Sequence, residues 1–331
     1  MRLVTWSALG AFAAALHAPA LAQTGAKSAA PGYPVRPVRV IQPAPPGGAS
    51  DVVLRAVAQK LACALGQPVV VDNRPGAHGL IGNQIAARAT PDGYTLLYGT
   101  VGTLAINSGL YKKMPYRMPE DFAPISQCVD QANLVLVSTA LPAKSLRELV
   151  ELAKARPGQL SFSSAGSGSA THLGPEMFRA RAGIDIKHVP YKGAAAAAVA
   201  LAGGEVQVLF VSPVTATPFI TAGRIRALAV STASRIPQMP DLPTIAESGY
   251  PGFSYGAWSG LLAPAGTPRP VVDRLHAQLV ALLKSREVRD LIARDGANAA
   301  WSESPEAFGK FIRSEIARWS GIVEQTGARI E

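Results

Sequence analysis

Ser163-Ser164-Ala165-Gly166-Ser167-Gly168-Ser169-Ala170-Thr171-His172 is the stretch that decides the fold. The run from Leu160 to Ser163 that feeds it reads as a β-strand, and Leu173 to Ala182 beyond it reads as an α-helix. A glycine-serine loop between strand and helix leaves backbone N–H groups free at a helix N-terminus, where the helix dipole also favours negative charge. A second loop of this kind, Pro45-Pro46-Gly47-Gly48-Ala49-Ser50-Asp51, follows the β-branched run Val38-Arg39-Val40-Ile41. Two such turns, more than a hundred residues apart, imply two helix ends gripping one small anion from opposite sides. The chain reads as a binder of small carboxylates.

Outward from these loops the pattern is strand, helix, strand, helix. Asp51 to Leu65 carries Val53, Val57, Leu61 and Leu65 on one helical face, and Gly66 closes it. Pro68 to Val71 and Tyr94 to Tyr98 read as strands around a short helix from Gly82 to Ala89. Further on, Leu134 to Val137, Ile186 to Val189, Val206 to Val211 and Ile225 to Val230 are strands. Ser145-Leu146-Arg147-Glu148 is a capping box ahead of an amphipathic helix to about Lys154. Alternation of this kind predicts an α/β fold of largely parallel sheets flanked by helices.

Past Pro251-Gly252-Phe253 the composition changes to long helices, Pro268 to Leu283 and Pro305 to Gln325, each with one apolar side. They must lie on a sheet already built, so the chain is expected to return to its first half. The predicted organisation is a discontinuous domain 1 (33–130 and 255–331) with domain 2 (131–254) inserted. Crossovers near 125–132 and 251–257 would join them, with a ligand cleft between domains at the C-terminal ends of the strands.

The N-terminus reads as an export signal. Arg2, the apolar run Leu3 to Leu16 and the small-residue site Ala20-Leu21-Ala22 make residues 1–22 a signal peptide, with 23–32 a disordered segment after it. The mature chain is therefore expected outside the cytoplasm. About 310 residues remain, enough for two α/β domains. The net charge of +10 is scattered, with no run of four Lys or Arg and no aromatic-basic interleaving, which argues against nucleic acid as a partner. Cys63 and Cys128 fall in a predicted helix and strand, and the five histidines show no metal-ligand spacing with them. No metal or cofactor is expected.

In order, these motifs resemble the Bug family of solute-binding proteins, the TctC-like receptors of tripartite tricarboxylate transporters. The resemblance rests on Pro45 to Asp51, Asn73-Arg74-Pro75-Gly76, Pro91-Asp92-Gly93-Tyr94-Thr95-Leu96-Leu97 and Ser164 to Ser169 with His172-Leu173. It continues through His188-Val189-Pro190-Tyr191-Lys192-Gly193 and Leu262-Ala263-Pro264-Ala265-Gly266-Thr267-Pro268. It implies a two-domain periplasmic binding protein of the type II class, a monomer that closes on a small organic acid or acidic amino acid. Its partners would be that ligand and the membrane permease subunits of the transporter. Carried over, ligand contacts come from Pro46, Gly47, Gly48, Ala49, Ser50 and Asp51 in the first loop. The opposing loop offers Ser164, Ala165, Gly166, Ser167, Gly168, Ser169, Thr171 and His172, while Thr100, Tyr191 and Ser212 would line the cleft. Ala44 stands where many members have an aromatic residue, and His78 stands where glycine is usual.

Several residues carry two readings. Asp51 is either the N-cap of its helix or also a partner for a ligand ammonium. Arg74 either meets a second ligand carboxylate or serves the surface, and Trp258 either packs or reports closure. His172 with Ser164 or Ser167 invites a secreted Ser/His hydrolase. However, the nucleophile elbow Gly-x-Ser-x-Gly fails around Ser167, where Ala165 and Ser169 occupy the glycine positions. The expected role is binding without catalysis, either in transport or as a sensor-type binding protein.

Overall fold

The computed structural model describes residues 32–47, 49–294 and 297–326. The signal-peptide reading, nearly all of the segment 23–32, and Gly48 lie outside the described residues. The first half runs β1 (Val38–Gln42), α1 (Ala49–Leu65), β2 (Val69–Asn73), α2 (Leu80–Ala87) and β3 (Thr95–Thr100). A π-turn at Gly102–Ile106 leads into α3 (Asn107–Leu110) and then β4 (Phe122–Gln131). The second half comprises β5 (Leu134–Ser138), α4 (Leu146–Ala155), β6 (Leu160–Ser164), α5 (Ala170–Ala182) and β7 (Ile186–Pro190). It continues with α6 (Ala194–Gly203), β8 (Val208–Val211), α7 (Pro213–Thr221) and β9 (Ile225–Val230). The chain then returns through β10 (Ala257–Pro264), α8 (Arg269–Lys284), α9 (Arg286–Arg294), β11 (Asn298–Ala299) and α10 (Pro305–Thr326).

These strands make two sheets, ordered β11-β4-β10-β3-β1-β2 and β7-β6-β8-β5-β9. In the first, β1 pairs parallel with β2 and β3, while β10 runs antiparallel between β3 and β4. In the second, β6 pairs parallel with β7 and β8, while β5 runs antiparallel between β8 and β9. The sheets are therefore mixed, where the strand-helix alternation predicted parallel pairing. Both inserted antiparallel strands are those that enter a sheet straight from the other half. No helix separates β4 from β5, or β9 from β10, to carry the chain back for parallel entry.

The N-cap forms as expected, Ser145 Oγ accepting from Glu148 N at 3.2 Å, while Glu148 Oε2 reaches one residue beyond the cap and accepts from Lys144 N at 2.8 Å. The C-terminal helices return to the first sheet, α8 and α10 against β4 and α9 over α1. One apolar cluster spans both halves, from Ile41 and Leu97 through Tyr255, Trp258 and Trp319 to Val135, Phe162 and Phe210. Separate clusters fill the space under α1 and α8 on one sheet, and under α6 on the other. Glu315 Oε2 accepts from both indoles at the junction, Trp258 Nε1 at 2.8 Å and Trp319 Nε1 at 3.0 Å. Trp258 is thus a buried packing residue on the return strand.

Where the two connections cross, Ser231 joins them. Its N–H donates to Asn133 O at 2.8 Å, and its carbonyl accepts from Tyr255 N at 2.8 Å. Its hydroxyl accepts from Asn133 N at 2.9 Å and donates to Tyr255 O at 2.7 Å. All three residues are buried.

Candidate functional site

The first glycine loop leaves the C-terminal end of β1 and turns at Gly47, whose φ of 81° is left-handed and suits glycine. Asp51 is the third residue of α1 rather than its N-cap, because the helix begins at Ala49. Its carboxylate points into the protein, 2% exposed. Oδ2 accepts from Gly47 N and Arg55 Nε, both at 2.9 Å, and Oδ1 accepts from Asn73 Nδ2 at 2.8 Å. Asn73 also donates to Ala44 O at 3.0 Å, so this network ties the loop to the end of β2. Burial pushes the Asp51 pKa up, but the bonds from Arg55, Asn73 and Gly47 outweigh it and the net shift is downward.

Ser50 faces another way. Its Oγ accepts from Gln42 Nε2 at 3.0 Å, and it borders a cavity of about 80 Å³. Thr100, Tyr98, Gln131 and Ser259 line the same cavity, with Tyr98 Oη and Ser259 Oγ hydrogen-bonded at 2.5 Å. The backbone beyond Thr100 is fixed by Thr100 N donating to Thr103 Oγ1 at 3.0 Å. Pro46 and Gly47 are exposed at the tip.

The second loop is held from within. Gly166 and Gly168 have φ of 130° and 78°, which folds the chain back on itself. Ala165 N donates to Thr171 Oγ1 at 2.8 Å, Gly166 N to Ser164 Oγ at 3.1 Å, and Gly168 N to His172 Nδ1 at 3.0 Å. Ser169 Oγ donates to Gly166 O at 2.7 Å. Tyr191 N, on the neighbouring strand end, donates to Ser164 O at 3.0 Å. With these bonds made, the N–H groups of Ser167, Ala170 and Thr171 have no partner among the described residues. Ser167 is exposed at the rim.

Beneath the loop lies a feature that linear spacing did not signal. His188, on β7, is hydrogen-bonded through Nε2 to Ser164 Oγ at 2.6 Å. Its ring stacks on that of His172 with centroids 3.8 Å apart, and Phe162 stacks against His188 at 5.0 Å. Burial pushes the His172 pKa down to about 4. His188 is also pushed down to about 4, by burial and then by His172, with Glu176 opposing. Both imidazoles are neutral at pH 7.

The structure thus brings Ser50 and Thr100 together at one cavity, and residues 164–172 with Tyr191 together in one loop. Ser212 follows β8, whose parallel pairing sets its end beside that of β6, and its Oγ is bonded to Thr215 Oγ1 at 3.1 Å at the start of α7. The hydrolase geometry is not formed: His172 Nδ1 is taken by Gly168, Ser167 makes no hydrogen bond, and buried Ser164 faces His188. Arg74 pairs with Asp72 at 3.0 Å, and His78 is an exposed loop residue with left-handed φ of 52°. Cys63 is exposed, Cys128 is buried, and both are free thiols. Among the described residues no group of three or more His, Cys, Asp or Glu converges on a metal site, and no helix is long and apolar enough to cross a membrane.

Two mixed α/β sheets joined by two crossing connections, with glycine loops at strand ends, are the architecture of the two-domain periplasmic solute-binding proteins to which this chain is similar. The chain belongs to the family described as "Tripartite tricarboxylate transporter family receptor", which matches residues 53–328. It is 38% identical to Protein BugT of Bordetella pertussis over 300 residues, 90% of this chain and 92% of that one. Among solved structures it is similar to R. palustris Rpa4515 with adipate, with a TM-score of 0.80 and 36% identity over 90% of this chain and all of that one. It is also similar to MatC (Rpa3494) from Rhodopseudomonas palustris with bound malate, with a TM-score of 0.75 and 33% identity over 88% of this chain and 100% of that one. The family and its solved members are periplasmic solute-binding proteins, not enzymes.

Proposed function

We propose that this protein captures a small carboxylate between its two halves and delivers it to the membrane permease of a tripartite tricarboxylate-type transporter. The observation that carries the reading is the second loop. Three unpartnered N–H groups, those of Ser167, Ala170 and Thr171, lie at the N-terminus of a 13-residue helix, where the dipole favours an anion. Ser50 and Thr100, from 33–130 with 255–331, would supply hydroxyls from the other side, and Tyr191 and Ser212 would border the cleft from 131–254. Asp51 shapes its loop rather than meeting the ligand, because its oxygens are already bonded. That relatives hold adipate and malate supports a C4–C6 dicarboxylate as the first ligand to try. The leader-like residues 1–22 support action outside the cytoplasm.

The test is a thermal-shift screen followed by calorimetry, using mono-, di- and tricarboxylates and acidic amino acids. A ligand at a thousand times its Kd adds roughly 4 kcal/mol, a shift of several degrees. A shift confined to carboxylates supports the reading. Protein stripped of retained ligand by unfolding and refolding that responds to no carboxylate would overturn it.

A further inference from the structure

The bonds that set the second loop's shape end on two imidazoles. Gly168 N–H points at His172 Nδ1, so that nitrogen must carry a lone pair and the proton must sit on Nε2. Ser164 Oγ accepts from Gly166 N–H and still has a second lone pair, but Ser164 is fully buried, and His188 Nε2 at 2.6 Å is the one acceptor its hydroxyl proton meets among the described residues. Each ring therefore meets a donor with an acceptor. Protonation of either ring would set an N–H against an N–H, or against a hydroxyl already engaged. The rings lie face to face at 3.8 Å over Phe162, and His172 is 8% exposed, so a charge on one would be poorly solvated and would repel a charge on the other. The ionised group that acts on His188 is Glu176 on α5, itself paired with Arg179 at 2.8 Å, and Lys187 flanks His188 on β7. The floor of the loop is thus a closed arrangement of uncharged rings.

We infer that His172 and His188 form a neutral, acceptor-presenting imidazole pair that clamps the loop Ser164–Thr171 in the shape that directs the Ser167, Ala170 and Thr171 N–H groups outward. His188 is a positioning residue that acts through Ser164, and His172 acts through Gly168. Neither supplies charge to a ligand. Recognition of an anion then rests on uncharged donors at this loop, the backbone N–H groups and the free Ser167 hydroxyl, although two imidazoles lie directly beneath it. The consequence for a carboxylate ligand rests on the function proposed above; the clamp itself does not.

Asparagine places its Oδ1 near the position of histidine Nδ1, and glutamine places its Oε1 near Nε2, whereas phenylalanine keeps the ring and loses the acceptor. The experiment compares His172→Asn, His172→Phe, His188→Gln and His188→Phe with the parent protein. Amide hydrogen exchange across 164–171 is measured without ligand, ring ¹⁵N shifts are followed from pH 7.5 to 4, and binding of adipate and malate is measured by calorimetry. In the parent, ring shifts should show His172 protonated at Nε2 only, and neither ring titrating above about pH 5. Each phenylalanine variant should raise loop exchange about tenfold and weaken carboxylate binding by a similar factor, the size expected for one lost hydrogen bond. The Asn and Gln variants should recover most of the loss. Ordinary titration of either ring near pH 6.5, or loop exchange unchanged in both phenylalanine variants, overturns the inference. Exchange that follows the expected pattern in a parent that binds no carboxylate upholds the clamp and overturns the carboxylate reading instead.

Discussion

Ser231 and Asn133 exchange two hydrogen bonds across the crossing of the two connections, backbone N to O at 2.8 Å and Asn133 N to Ser231 Oγ at 2.9 Å. Tyr255, on the returning connection, is bonded to the same serine through both its N–H and its carbonyl. The outgoing and returning chains are therefore fastened to one buried side chain. Relative movement of the halves has to pivot around it or break it.

Ser231→Ala removes the hydroxyl and leaves Asn133 N–H and Tyr255 C=O buried without it. Each unsatisfied buried group costs about 1–3 kcal/mol, so the two together should lower the unfolding free energy by about 2–6 kcal/mol, read as a lower urea midpoint. A midpoint within error of the parent would show that the junction does not depend on the hydroxyl.

Gly174→Ala sets two effects against each other. Alanine is favoured over glycine in a helix by about 1 kcal/mol. A Cβ here would lie 2.2 Å from Tyr255 Cζ, and overpacking costs roughly 1–3 kcal/mol. The tyrosine ring is buried among Phe210, Phe253 and Trp319 and has little room to yield. The clash should win, with a lower Tm; a higher Tm would mean that α5 shifts freely against the return connection.

Asp51→Asn tests whether the buried carboxylate serves shape or ligand. Arg55, Gly47 N–H and Asn73 all donate to it, so the variant should lose about 1.5–3 kcal/mol, the range for hydrogen bonds to a charged group. Its pKa lies below the ordinary value, so its contribution is complete above about pH 4 and fades as pH falls through the folded-state value. The acid limb of the stability curve should flatten in the variant. Calorimetry should find amino-acid and plain carboxylate ligands weakened alike; a loss confined to amino acids would restore the ammonium-partner role.

His172 gives stability the opposite kind of group and the same direction. Its pKa falls from 6.5 to about 4 on folding, so between these values the unfolded chain binds more protons than the native one. Stability should rise with pH across that window, by at most about 3 kcal/mol for this ring, and be complete above pH 6.5. Urea unfolding at pH 7 and pH 4.5 measures it, and His172→Asn should reduce the difference. Equal unfolding free energies at the two pH values would mean that the ring is hydrated in the native state.

Much of this was legible in the residues. The two glycine loops, the N-cap at Ser145 and the return of the C-terminal helices follow from spacing and composition, because each is a local signal or an apolar stripe that has to be covered. β10 was not legible: Ala257 to Pro264 is almost wholly buried and so lacks the alternation that marks a half-exposed strand, and Gly260 interrupts it. Helix α9 was missed for the opposite reason: it is short and mostly exposed, with only Val288 and Ile292 buried. Asp51 was misplaced by two residues at the helix start, and that small shift turned a cap into an internal anchor. His188 opened a motif in the sequence, but its role had no local signal, because Ser164 and His172 lie on other elements and the parallel pairing of β6 with β7 is what sets it beside Ser164.

The position of β10 also bears on the order in which the protein is made. Among the described residues it is the one strand that bridges β3 to β4, the two parts of the first sheet. Both are synthesised long before it, with the whole of the second sheet in between. Until residue 264 has emerged, β3 and β4 each expose an unpaired edge, and the first half is two unjoined fragments. Non-local pairing of this kind closes slowly. An amino-terminal piece ending anywhere before β10 should be prone to sticking through those edges, whatever the quality of its local helices and turns.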